Sequence, residues 1–234
     1  MYLSEIFEHL SYGELSQLFL GDSLQGSIQE SQYGKIASFV NIGLVDLYKK
    51  FALREKEVII QQYDTLNYYV LVDDYAVSNV ASMASPKFIL DSVEKPFIND
   101  VLQIQYVKDA DGLDIPLNSL NQTNSIFTPE ETVLHIPEPV NETLITVTYR
   151  VYPAKIALDN INPFAVTIDL PEFLLPALLS YVGYRAHIAL PDGEASKALS
   201  YYGKYRKICE EVELLGLIHN IIPQNQKHWN NGWA

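Results

Sequence analysis

Gly21-Asp22-Ser23-Leu24 is the first place in the chain where residue types and spacing suggest chemistry. A serine in such a turn can act as a nucleophile for ester hydrolysis when a buried strand presents it and an Asp-x-x-His pair near the C-terminus supplies the base. Tyr12 to Leu20 read as helix instead, and none of His9, His135, His187, His219 and His228 has an aspartate three residues before it. The expectation is that Gly21 ends a helix and Asp22 or Ser23 opens the next turn, with no catalytic residue.

Metal chemistry is as thinly supported. The histidines are scattered, with no His-x-x-x-His pair, and Cys209 is the single cysteine, which excludes an internal disulfide framework and a cysteine-rich zinc site. Cys209 falls on an apolar stripe and reads as a small core hydrophobe, while His135 and His187 read as surface or hydrogen-bonded residues rather than ligands. Asp109, Asp111 and Asp114 are spaced suggestively for calcium. Gly112 comes too early for an EF-hand loop and no glutamate closes it, so a solvated hairpin tip is expected. Neither of the glycine-rich phosphate loops, Walker or Rossmann, is present, and no cofactor is expected.

Pro223, Trp229 and Trp233 form a different kind of candidate. They lie in a polar, Asn- and Gln-rich end that holds both tryptophans of the chain. Such residues either fold back on the helices before them or dock another chain, where tryptophan dominates the energetics. We read them as partner-docking anchors on an extended C-terminal arm, 217–234.

Bulk composition narrows the function class. A net charge of −13 argues against gripping nucleic-acid backbone by counterion release, which needs a basic face. Sixteen tyrosines suit half-buried surfaces such as interfaces, and equally β-sheets. The opening residues lack a basic n-region, and no apolar run approaches the roughly 20 residues needed to span a bilayer. A protein of a reducing cytoplasm with no membrane partner is expected.

The elements follow from periodicity. Leu3, Ile6, Phe7 and Leu10 recur at helical spacing, with Leu15, Leu18 and Phe19 after a break. Ile36, Phe39, Val40, Leu44, Leu47, Tyr48 and Phe51 form one stripe on a long helix, for which Ser31 is the expected cap. From Glu57 to about Ile168 the chain reads as short strands, among them an alternating Val101–Val107 run, ended by turn residues and prolines. Helix returns after Asp169, the expected cap, with Pro171 in the first turn; Pro176 lies inside the helix or forces an irregular start before it. Ala198, Tyr202, Tyr205, Cys209 and Val212 step by four and three, and Gly216 reads as the C-cap. The expected fold is α+β: a discontinuous helical bundle from 1–54 and 169–216, an inserted antiparallel β-sandwich or barrel over 55–168, and the arm. Neither end can bury its stripe alone, so the two are expected to pack together.

This order of pieces resembles a family. The helix through Asn41 that ends in Leu47-Tyr48-x-x-Phe51 and runs directly into Glu57-Val-Ile-Ile looks like the N-terminal part of the head-to-tail adaptor (connector) proteins of short-tailed bacteriophages, the tail tubular protein A-like group. Asp111-Gly-Leu-Asp-Ile-Pro-Leu-Asn resembles their β insert. The stretch from Asp169-Leu-Pro-Glu through Ala195-Ser-Lys-Ala-Leu-Ser-Tyr-Tyr-Gly-Lys-Tyr resembles their closing helices. The resemblance implies a non-enzymatic virion protein at the head–tail junction: a homo-oligomeric ring, typically of twelve copies, beneath the portal protein. The next tail or nozzle protein would attach below, and genomic DNA would pass through the lumen without specific binding. Two other readings remain open. A GDSL-type hydrolase would need Ser23 to react. A glycan- or cell-surface-binding β module would use Tyr68, Tyr69, Tyr106 or Tyr149 as an exposed platform.

Overall fold

The computed structural model describes residues 1–18, 26–189 and 195–218. Two compact units emerge, one built from 1–52 together with the residues from 154 onward, the other from 53–153.

In the first unit, α1 (Leu3–Tyr12) buries Leu3, Ile6, Phe7 and Leu10, the apolar set spaced for one helical face. α2 (Glu30–Lys50) buries Ile36, Val40, Leu44, Leu47 and Tyr48, with Phe39 half-buried and Phe51 buried just past its end. The cap differs from expectation. Gln29 occupies the N-cap position with no side-chain bond, and Ser31 lies inside the first turn, because the helix extends back to Glu30 and gains an acid at its positive end. α3 (Leu175–Ile188) is preceded by a single 3₁₀ turn, Glu172–Leu174. Asp169 therefore does not cap α3; Leu174 stands at that position. Pro176 sits in the first turn of the helix proper, where its missing N–H removes no intrahelical bond. α4 (Ala195–Leu214) ends as its glycine predicts: Gly216 adopts φ +60°, its N–H reaches Glu213 O at 3.1 Å and Leu217 N–H reaches Val212 O at 3.3 Å, the paired bonds of a Schellman motif.

Helices from both ends of the chain pack together, α2 on α3 and α3 on α4. Residues 154–168, which composition groups with the strands, hold no strand and cluster with the helices. Main-chain bonds explain this. Leu3 N–H donates to Val166 O at 2.9 Å and Ile168 N–H to Met1 O at 2.8 Å, so the segment lies along the chain start. Asn41 completes the attachment: its side-chain amide donates to Ile156 O at 3.0 Å and accepts from Ile156 N–H at 2.9 Å.

The second unit holds β1 (Glu55–Gln61), β2 (Tyr68–Val70), β3 (Ile89–Leu90), β4 (Val101–Lys108), β5 (Asp114–Ile115), β6 (Phe127–Glu130), β7 (Val133–His135) and β8 (Leu144–Val151). One antiparallel sheet runs β3-β1-β8-β4-β5 and a second runs β2-β7-β6. β8 is central and buries Ile145, Val147, Tyr149 and Val151, the period-two set of one sheet face. β4 departs from clean alternation. Two register shifts against β8 let Val101, Leu102, Ile104 and Val107 all turn inward, which strict alternation forbids. Pro129 lies within β6, an edge strand, the position that tolerates a missing donor.

Candidate interaction surfaces

Pro223, Trp229 and Trp233 lie outside the described residues, as do the Gly21-Asp22-Ser23-Leu24 turn, His219 and His228. Of the remaining histidines, His187 is buried on α3, its Nε2 3.2 Å from Glu14 O and its ring stacked on Tyr201. His135 stacks on Tyr68 with centroids 4.5 Å apart. Among the described residues no group of three or more His, Cys, Asp or Glu is placed to hold a metal ion.

Tyrosines join the helices of the first unit. Tyr181 and Tyr184 on α3 meet Tyr205 and Tyr202 on α4, with centroids 5.2 and 5.1 Å apart. The Tyr205 hydroxyl donates to the Asp46 carboxylate of α2, so one phenol ties three helices together. Burial first, then that carboxylate, pushes the Tyr205 phenol far above its ordinary value. Lys50 covers the same ring from 5.9 Å. Cys209, one turn on, is buried, and burial pushes its thiol up, leaving it a packing residue rather than a nucleophile. The stripe through Tyr202, Tyr205 and Cys209 was visible in the sequence; the acid waiting on α2 carried no signal there, since a single Asp on a helix is ordinarily solvated.

Of the four tyrosines that a glycan-binding module would use, two are core residues. Tyr69 is 0% exposed and Tyr149 2%, while Tyr68 and Tyr106 are open to solvent. Tyr69 is a core residue because its hydroxyl is consumed locally, accepting from Tyr63 N–H at 2.8 Å and donating to Tyr63 O at 3.2 Å. Tyr149 packs edge-on against Phe97 and reaches Asp100, which Lys56 pairs at 2.6 Å.

Asp109 closes the hairpin between β4 and β5. Its carboxylate accepts from Asp111 N–H at 3.0 Å and Leu113 N–H at 2.8 Å, and Gly112 supplies the φ of +80° that the turn needs. The tip therefore displays Asp111, Asp114 and, between them, Leu113, which is 66% exposed.

At the opposite edge of the same sheet, β3 pairs with β1 through Ile59 and Ile60, and Gln61 N–H continues the contact to Phe88 O at 2.9 Å. Beyond it opens a groove of about 690 Å³ lined by Arg54, Lys56, Glu57, Ile59, Lys95 and Pro96 among others. Arg54 O accepts from Val151 N–H and Gln62 N–H donates to Thr143 O, so even-numbered residues of β1 turn their main-chain groups toward β8. Glu55 and Glu57 turn theirs the other way, past the end of β3. The wall of the groove is set by Asp91, which accepts from Ser78 N–H, from the Ser78 hydroxyl at 2.5 Å and from Phe97 N–H at 2.7 Å. Burial disfavours that carboxylate, but these donors outweigh it and its pKa falls below the ordinary range.

A family model described as SU10 adaptor protein matches residues 11–217. No curated protein matches the chain. The match runs from the end of α1 through α2, the whole β unit, α3 and α4. The chain belongs to the SU10 adaptor protein family: it is a phage head-to-tail adaptor, a virion structural protein rather than an enzyme.

Proposed function

We propose that this adaptor closes into a ring, of twelve copies as the resemblance to the connector proteins implies, seated between the portal protein and the next tail component with genomic DNA passing through its lumen. The observation that carries this reading is the family match across residues 11–217, over a chain whose two ends share one helical bundle. A ring of identical subunits uses a heterologous interface, one face of each copy meeting a different face of its neighbour. A chain of charge −13 would present acids to DNA phosphates, which favours passage over adhesion. Pro223, Trp229 and Trp233 fit a docking arm that anchors on the portal by burying indole surface.

Mass photometry of the purified protein, alone and mixed with its portal, tests this. The expected result is a discrete species near twelve times 26.5 kDa, formed alone or on the portal. A strict monomer that also ignores the portal contradicts it.

A further inference from the structure

We propose that ring closure sets the β4–β5 hairpin of one copy into the β1-edge groove of the next, joining the five-stranded sheets edge to edge. The inference rests on the ring reading and names the surface that the reading leaves open. Three features point to a second copy as the occupant.

The two surfaces lie at opposite edges of one sheet, β3–β1 at one side and β4–β5 at the other, which is the arrangement a head-to-tail contact between identical subunits requires. They match in charge. The groove lining carries Arg54, Lys56 and Lys95 against Glu57 and Asp91, and Lys56 is already held by Asp100 at 2.6 Å, so the base it offers a partner is Lys95. Asp91 is engaged by its three donors, and among the described residues no carboxylate pairs with the Lys95 ammonium. The hairpin tip offers Asp111 and Asp114. They also match in apolar surface: Leu113 stands out between the two acids, and Ile59, 42% exposed, lies in the groove with Pro96.

The third feature is the main chain. Glu55 and Glu57 direct their N–H and C=O groups away from β8, past the end of β3, where they meet no main-chain partner among the described residues. On the hairpin, Asp109 N–H bonds Leu113 O and Val107 lies opposite Ile115, so Ile115 turns toward β4 and Asp114 turns its main-chain groups outward. Both edges are protected against indiscriminate pairing, each by a two-residue strand, β3 or β5, and the second also by the bulges of β4. Pairing between them then depends on the charge match, which gives register as well as attraction.

A disulfide pair reads the contact directly. Ser92, in the groove lining, and Leu113, at the tip, are separated within one subunit by four strand spacings, about 19 Å, far beyond the roughly 7 Å limit for a disulfide. The Ser92→Cys/Leu113→Cys double variant should therefore give, on mild oxidation, a ladder of covalent oligomers, whereas each single variant gives no ladder; Cys209 is buried and does not compete. Independently, Lys95→Glu and Asp111→Lys should each raise the concentration for half-assembly about tenfold, and their combination should recover most of that loss. Both residues are exposed, so circular dichroism should find the variants folded. If wild-type protein assembles while the double cysteine variant gives no ladder and the charge variants assemble normally, this interface is wrong and the ring reading stands. If wild-type protein neither assembles nor binds portal, both fall.

Discussion

Tyr205 carries more of the helical unit than its type suggests. Its ring sits among Tyr181, Tyr202 and Lys50, and its hydroxyl holds Asp46. Tyr205→Phe keeps the packing and leaves the half-buried Asp46 carboxylate without its donor, so a loss of about 1–2 kcal/mol is expected in urea denaturation. The same phenol sets a pH response. Burial raises the pKa of Tyr205, and also of Tyr149, Tyr181 and Tyr201, above the unfolded value. A group raised on folding contributes stability that is whole below its unfolded pKa, about 10, and is lost as pH rises toward the folded one. Thermal melting should accordingly fall above about pH 10, and less steeply in Tyr205→Phe. A melting temperature flat from pH 9 to 11 would contradict the assignment. None of this was legible beforehand. The Tyr205–Asp46 bond spans 159 positions and the Asn41–Ile156 pair 115, and polar partners so far apart leave no periodic trace.

At the scale of elements, hydrophobic period located α1 to α4, because a stripe at steps of three and four has only one conformation that buries it, but the helix expected over Tyr12 to Leu20 is turn from Gly13 to Gln17, where Leu15 is buried without a helix. Gly216 likewise marked the end of α4, since only a residue tolerant of positive φ closes a Schellman motif cheaply. Starts were harder: neither Ser31 nor Asp169 caps, because α2 begins one residue earlier behind Gln29 and a 3₁₀ turn separates Asp169 from α3. Where helices touch was invisible, although one residue hints at it. Gly43 lies on the buried face of α2, and a Cβ built there would stand 2.8 Å from Leu178 Cδ1 and 3.1 Å from Tyr181 Cδ1 on α3. Gly43→Val should force these helices apart and cost about 1–3 kcal/mol, read by chemical denaturation. A neutral result would mean that α2 and α3 approach less closely than described. In the β unit, β-branched runs, alternation and terminating prolines gave β1, β4 and β8, but the bulges of β4 and the open rungs of β1 depend on strand pairing, which one sequence does not encode locally.

The whole molecule reads as a scaffold with surfaces to spare: helices from both chain ends pack together, and the intervening sheets leave two complementary edges open. The docking arm proposed for residues 217–234 belongs to this scale too. Removing residues 223–234 should leave helical content and melting unchanged while weakening attachment to the portal. Collapse of the fold in that variant would assign the tryptophans to the core instead. Most directly decisive is electron-microscopic imaging of the purified adaptor bound to its portal. A closed ring seated coaxially on the portal, with an open central channel, is the predicted result. Single adaptor copies scattered on the portal, or no complex at all, would contradict the account.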